Sequence, residues 1–228
     1  MSFTDELFTA ARPIWDAQVR HPFPRGIGDG SLPEETFSRW VLQDYLYLKE
    51  FARLFAWGVA KSDRLDAMGW YAYVLNLTLN TEMSLHRTYA ERFGISTARL
   101  EAEVMWPTTR AYTDFLVRTA ADGDMADLVA ALLPCAWGYV YLARELTRDG
   151  MPTEPRYAEW LAQYGSDEFG QAVDWLKAEM NRLAETIGAE KRRRLIDLFV
   201  VSSRYEWMFW EMCWHGESWQ PATTGGAS

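Results

Sequence analysis

The chain has 228 residues, of which 49% are hydrophobic, so it can bury one sizeable core and we predict a single domain. A formal net charge of −9 argues against nucleic-acid binding, which depends on lysine and arginine contacts to phosphate. Two cysteines, three histidines and no signal-like N-terminus disfavour a disulfide framework and a histidine-rich zinc site, and they favour the reducing cytoplasm.

Apolar residues recur every three or four positions, which predicts an all-α single-domain bundle of about eight or nine helices. Ser31 and Glu34 have capping-box spacing for the second helix, and Gly94 suits the left-handed position after the third. The domain is predicted over residues 1–220, with a disordered, small and polar tail at 221–228. The predicted helices are 4–20, the capped helix ending at 61, 65–93, a short turn after 96, 107–122, 125–148, 156–163, 167–187 and 190–214.

The second predicted helix carries an acid on an apolar face. Asp44 and Tyr47 lie three residues apart and share that face with Trp40 and Phe51. A buried carboxylate is costly unless it is paired or hydrogen-bonded. Asp44 therefore either awaits a donor from a ligand or forms a satisfied tie between helices, and the pattern leaves both interpretations open.

A cysteine follows a proline inside the apolar run 129–142, which is itself too short to span a bilayer. Pro134 removes a helical N–H donor and favours a kink, so Cys135 is aimed differently from its neighbours. Tyr139 lies one turn later on the same face. These features suit a nucleophile beside an aromatic wall, but a free cysteine is also commonly a small buried hydrophobe.

Two acid–histidine pairs raise the question of a metal site. Glu82 and His86, and likewise Glu211 and His215, have the one-turn spacing found in carboxylate–histidine metal centres. A helical ion pair is the commoner explanation for such spacing, and we predict no metal. The basic run 191–194 is interpreted as a solvated helix face rather than a track for phosphates.

Glu206 is an acid in an aromatic segment, between Tyr205 and Trp207. Aromatic surroundings raise the pKa of a carboxyl group, which suits a proton donor near neutral pH. The alternative is a carboxylate that points outward from an otherwise buried helix.

Five segments resemble signature blocks of the TenA (thiaminase II) family, and they occur in the same order over nearly the whole chain. This resemblance implies a haem-oxygenase-like helical fold without bound haem and usually a homotetramer. It also implies aminopyrimidine aminohydrolase activity in thiamin salvage. The family has been labelled as transcriptional activators, for which the acidic charge gives no support. The five segments begin at Trp40, Pro107, Leu133, Tyr164 and Tyr205.

Carried over position by position, the resemblance implies that Cys135 is the nucleophile and that Glu206 and Asp44 hold an aminopyrimidine. The implied reaction cleaves the exocyclic C–N bond of 4-amino-5-aminomethyl-2-methylpyrimidine, and of thiamin, with no metal and no cofactor. A non-catalytic aminopyrimidine-binding or regulatory protein is the main alternative, followed by a metal-dependent oxidase. The implied aromatic pocket residues are Tyr47, Tyr112, Tyr139 and Tyr164.

Overall fold

The computed structural model describes residues 2–221, and within this range it contains helices and no β-strand. Nine of its α-helices have ten residues or more, so the predicted all-α fold of eight or nine helices is confirmed for this range. The predicted tail, apart from Pro221, lies outside it. The helices are α1 (Phe3–Arg20), α2 (Pro22–Asp29), α3 (Glu34–Lys61), α4 (Leu65–Leu77), α5 (Met83–Arg92), α6 (Thr97–Ala102), α7 (Pro107–Asp122), α8 (Met125–Leu146), α9 (Pro155–Tyr164), α10 (Asp167–Leu183) and α11 (Ala189–His215).

The start of α3 differs from the prediction, and α2 was not predicted at all. Pro33 is the N-cap of α3 and no side chain caps it, so the capping box expected at Ser31 is wrong. The reason lies in the preceding turn. The Leu32 N–H donates to the Gly26 carbonyl oxygen at 3.0 Å, which ties this segment to the end of α2 instead of to the new helix.

The predicted helix 65–93 is a continuous helical segment interrupted by one wider turn. A π-helical turn, Thr78–Glu82, joins α4 to α5. Gly94 then adopts φ +68°, the left-handed conformation that the sequence indicated. A π-helical turn accommodates one extra residue, which apolar periodicity over a long window does not resolve.

Helix α8 lies at the centre of the bundle, packed against α10 and α11, while α3 packs against α4 and α7. By length and composition α8 could cross a membrane, although the apolar run within it had been judged too short. However, 78% of its apolar window is buried inside the fold. A core helix has this property.

Close approach of α3 to α4 depends on a glycine. A Cβ atom at Gly58 would lie 2.5 Å from the Tyr71 ring, so a larger residue requires the two helices to separate. Both helices contribute to the cavity described below, and Gly58 therefore helps to set its width.

The basic run at the start of α11 is not simply a solvated face, as had been interpreted. Lys191 Nζ lies 2.7 Å from Asp127 Oδ2, and Arg194 Nε lies 3.2 Å from Asp127 Oδ1. Asp127 is buried in the first turn of α8, where Asp124 forms a capping box with it. These ion pairs attach α11 to the start of α8.

Candidate active site

A cavity of about 80 Å³ lies among α3, α4, the π-helical turn, α8, α9 and α10. This volume far exceeds the space that one water molecule needs. Glu206 and Tyr112 do not line the cavity but lie behind its wall, where the Tyr47 and Tyr112 rings have centroids 5.3 Å apart. The sequence-predicted residues that line it are Asp44, Tyr47, Cys135, Tyr139 and Tyr164.

Helical spacing explains how the chain brings these side chains together. Asp44 and Tyr47 lie one turn apart on α3, and Cys135 and Tyr139 lie one turn apart on α8. Tyr164 ends α9, and its ring centroid lies 4.7 Å from that of Tyr139. The result is that a thiol, a carboxyl group and three tyrosines from distant parts of the chain share one cavity wall.

The Cys135 thiol is neutral at ordinary pH. Burial raises its pKa well above the ordinary value, and the nearby Glu206 carboxylate raises it further. The neighbouring Tyr47 hydroxyl opposes this effect as a potential donor, although that buried hydroxyl has no hydrogen-bond partner among the described residues. A thiolate at this position therefore requires a base or a bound substrate.

Glu206 is buried, which rules out the outward-pointing alternative, and its exposed fraction is 4%. Burial raises its pKa to about 8, while a hydrogen bond donated by Tyr112 opposes the shift. At neutral pH this carboxyl group is therefore mostly protonated. That state agrees with the expectation of a proton donor.

A chain of hydroxyl groups runs from Glu206 to the backbone of α8. Ser202 Oγ donates to the Ala131 carbonyl oxygen at 2.7 Å, and it lies 3.1 Å from the Tyr112 hydroxyl. When Glu206 is neutral it can donate to Tyr112, which then donates to Ser202, and every proton in the chain has an acceptor. When Glu206 is ionised, Tyr112 donates to it and the Tyr112–Ser202 contact has no proton. The contact with Ser202 therefore favours the neutral acid, against the hydrogen bond that Tyr112 donates to the ionised form.

Asp44 is tied to a histidine on a different helix. His86 Nε2 lies 2.6 Å from Asp44 Oδ2, and both side chains are buried. Burial lowers the pKa of His86, but the hydrogen bond and the charge of Asp44 outweigh it and leave the pKa above its ordinary value. Of the two interpretations of Asp44 that the sequence leaves open, the structure shows the tie between helices, and the role toward a ligand stays a prediction. Its carboxylate joins α3 to α5 and also reaches the cavity wall.

The proposed helical ion pair between Glu82 and His86 is not formed. His86 Nδ1 instead lies 3.2 Å from the backbone carbonyl oxygen of Glu82, whose side chain lines the cavity. Burial raises the pKa of Glu82 to about 7. Among residues 2–221, no hydrogen bond or ion pair involves this carboxyl group.

The second acid–histidine pair lies elsewhere. Glu211 contacts His215 at 3.2 Å and His21 at 3.1 Å, and the His215 side chain is 67% exposed. The two acid–histidine pairs therefore do not share a site. Within residues 2–221, no group of three or more histidine, cysteine, aspartate or glutamate side chains is placed to hold a metal ion.

Sequence reasoning missed two polar partners in this region, namely the bond from His86 to Asp44 and the role of Ser202. His86 was considered only with Glu82, and 42 residues separate it from Asp44. Helical spacing carries no signal for such a contact, because it depends on how two helices pack.

The TENA/THI-4/PQQC family model matches residues 9–216. A relative from Halalkalibacterium halodurans, named aminopyrimidine aminohydrolase, is 42% identical over 220 residues, which are 96% of this chain and 98% of that protein. A solved structure from Silicibacter sp., described as a TenA family transcription regulator, is 32% identical. Its TM-score is 0.87, over 93% of this chain and 96% of its own.

A more distant solved structure is a Shewanella denitrificans domain described as having a heme oxygenase-like fold. It is 12% identical with a TM-score of 0.72, over 92% of this chain and 91% of its own, and it supports the fold alone. The expected haem-oxygenase-like fold is confirmed. Because the family model spans most of the sequence and the H. halodurans protein matches nearly end to end, the chain belongs to the TENA/THI-4/PQQC family.

Proposed function

We propose that the protein hydrolyses the exocyclic C–N bond of 4-amino-5-aminomethyl-2-methylpyrimidine, and more weakly that of thiamin, to give hydroxymethylpyrimidine. It is thus an aminopyrimidine aminohydrolase (thiaminase II) of thiamin salvage, in line with the name of its H. halodurans relative. The observation that carries the proposal is one cavity wall bearing the Cys135 thiol, the Asp44 carboxylate and three tyrosine rings, with Glu206 buried behind it.

Recognition of the ring divides between two kinds of contact. Tyrosines stack on the pyrimidine and contribute roughly 1–3 kcal/mol, by analogy with base–aromatic stacking, but they select only a flat ring. Asp44 Oδ2 lies 2.6 Å from His86 Nε2, and the Asp44 carboxyl group can accept a hydrogen bond from the amino group of the ring. Such polar contacts supply the selectivity, because a ligand without the amino group leaves the carboxylate unpaired.

Addition of the cysteine is the first chemical step of the proposal. A substrate seated against Cys135 comes within reach of neutral Glu206, the neighbour of that thiol behind the wall. Glu206 gives its proton to a ring nitrogen, which makes the unsubstituted ring carbon beside the aminomethyl-bearing carbon electrophilic. The Cys135 sulfur bonds to that carbon while the thiol proton passes to the Glu206 carboxylate, so the acid is restored. Because burial keeps the resting cysteine neutral, the thiol loses its proton only as the S–C bond forms.

Departure of the amine follows from the electron-rich ring. The C–N bond of the aminomethyl group, present as ammonium, breaks with its electron pair on nitrogen, and ammonia leaves. Water adds to the exocyclic methylene that remains, and departure of the sulfur restores the aromatic ring and the thiol. Overall, the ammonium form of the substrate reacts with water to give the alcohol and an ammonium ion. The reaction requires no cofactor.

The remaining part of the proposal is a homotetramer, as the family resemblance implies, in the reducing cytoplasm that the cysteine usage favours. Leu65, Tyr73 and Leu79 are large apolar side chains exposed by half or more on and beside α4, which favours contact with other copies. We propose no nucleic-acid partner because the net charge is −9. We propose no membrane partner because the apolar window of α8 is mostly buried.

The test is to incubate the protein with aminomethylpyrimidine and with thiamin, and to follow the alcohol product by mass and the ammonia released. Cys135→Ser is expected to lose activity on the order of 10³-fold or more. Cys213→Ala is the matched control, because Cys213 is buried but does not line the cavity, and near-normal turnover is expected.

Two outcomes would contradict the proposal. Near-normal turnover by Cys135→Ser would remove the covalent step. Tight binding of both compounds without ammonia release would instead favour the non-catalytic binding or regulatory protein, the class named for the Silicibacter structure.

A further inference from the structure

The cavity wall carries two carboxyl groups in different electrostatic situations. Asp44 is balanced by His86 at 2.6 Å. Glu82 lies on the same wall and makes no hydrogen bond or ion pair with any of residues 2–221. No lysine or arginine lines the cavity in this range. Glu82 is therefore the wall carboxyl group that can still accept a cation.

The titratable groups around Glu82 come from four elements. Asp44 on α3 and His86 on α5 influence its pKa, and the charge of Glu82 in turn raises the pKa of Cys135 on α8 and of Tyr164 on α9. His86 is the cationic group among them, and its Nε2 is already committed to Asp44. With a pKa near 7, caused mainly by burial, Glu82 is close to half ionised in the empty cavity at neutral pH. An entering cation would favour the carboxylate form.

The proposed substrate and product differ in charge at one position. An aliphatic amine such as the aminomethyl group is an ammonium ion at neutral pH, as the amine of lysine is. The hydroxymethyl group of the product is neutral and occupies the same place on the ring. A carboxylate on the wall can distinguish the two.

We propose that Glu82 binds the ammonium group of the substrate and makes the site prefer the cationic aminomethylpyrimidine over its neutral alcohol product. This inference rests on the proposed function. The same contact holds the nitrogen in its protonated form until the C–N bond breaks, so that neutral ammonia leaves. Once the amine has been replaced by a hydroxyl group the ion pair is lost, which favours release of the product over its retention.

The experiment measures binding without turnover. In the full-length Cys135→Ala protein, calorimetry compares the affinities of aminomethylpyrimidine and hydroxymethylpyrimidine with and without Glu82→Gln. We expect the substitution to weaken amine binding roughly 10- to 100-fold, the range for a hydrogen bond to a charged group, and to change alcohol binding little. Glu91→Gln removes an exposed charge from α5, the helix that follows Glu82, and is expected to change neither affinity.

An equal loss for both ligands, or no loss for either, would overturn the role of Glu82. If the parent protein binds neither ligand, the proposed function itself fails, so the two failures are distinguishable. Should Glu82→Gln fold poorly, the Cys135→Ala protein alone gives an independent measurement. This measurement is the pH dependence of the ratio of amine affinity to alcohol affinity. Both ligands carry the same ring, so effects of pH on ring binding cancel in this ratio. The ratio is expected to rise about tenfold from about pH 6 to about pH 8 as Glu82 ionises. A ratio that does not change with pH would overturn the proposal.

Discussion

The two acids with raised pKa values, Glu206 and Glu82, lie in contrasting surroundings. Glu206 lies behind the cavity wall, at one end of a chain of hydroxyl groups that gives its proton a fixed place. Glu82 lies on the wall itself and has no polar partner among residues 2–221. Burial raises the pKa of both acids. In the proposed reaction, similar acidity serves two purposes: Glu206 delivers a proton and Glu82 receives a cation.

The largest expected effect comes from replacing the acid of the hydroxyl chain. Glu206→Gln removes the transferable proton, and kcat/KM is expected to fall about 10²- to 10⁴-fold, the usual contribution of general acid–base catalysis. Glu190→Gln, an exposed change at the start of the same helix, is the control for charge. Activity within about threefold of the parent in Glu206→Gln would assign the proton to another group and remove the contrast with Glu82.

The next effect concerns the ion pair beside Glu82. His86→Ala leaves the buried Asp44 carboxylate without its partner, and we expect a loss of about 3–5 kcal/mol in the free energy of unfolding. Urea denaturation measures this loss. His86→Ala made in an Asp44→Asn background is expected to lower the free energy of unfolding clearly less, because no charge is left unpaired. Equal losses in the two backgrounds would mean that His86 acts by packing alone.

The smallest effect tests the hydroxyl chain directly. Ser202→Ala removes the acceptor for the Tyr112 proton in the neutral state of Glu206, whereas the ionised state keeps its bond from Tyr112. In the proposed mechanism the protonated acid is the active form, so kcat/KM is expected to fall as pH rises through the pKa of Glu206, about 8. We expect Ser202→Ala to shift this fall to lower pH by less than about one unit. The value of kcat/KM on the low-pH side of the fall is expected to change little. An unchanged or upward-shifted profile would count against the chain.

The sequence was sufficient for features that depend on neighbouring residues. Helix spacing placed Cys135 and Tyr139 on one face of α8, and the aromatic setting of Glu206 indicated a raised pKa. Gly94 marked the end of its helix because its left-handed φ is a local property. The role of Tyr112 came from family resemblance, and its position behind the wall could not be derived from spacing.

Features that depend on packing between helices could not be predicted from the sequence. The His86–Asp44 bond joins residues 42 positions apart, and its existence follows from the angle at which α5 meets α3. The start of α3 was misplaced because a hydrogen bond from Leu32 back to Gly26 competes with a capping box. In both cases the local pattern was compatible with more than one partner.

The π-helical turn Thr78–Glu82 has a consequence for how this architecture could vary. Each residue rotates an α-helix by about 100°, so the same residues wound as regular α-helix, without the wider turn, would turn α4 and α5 relative to each other by about that angle. Either Trp70 and Val74 would leave the apolar part of the cavity, or His86 would leave Asp44. The wider turn acts as a phase adjustment that lets one helical segment serve both ends of the cavity. The same chain without it would have to forfeit one end to retain the other.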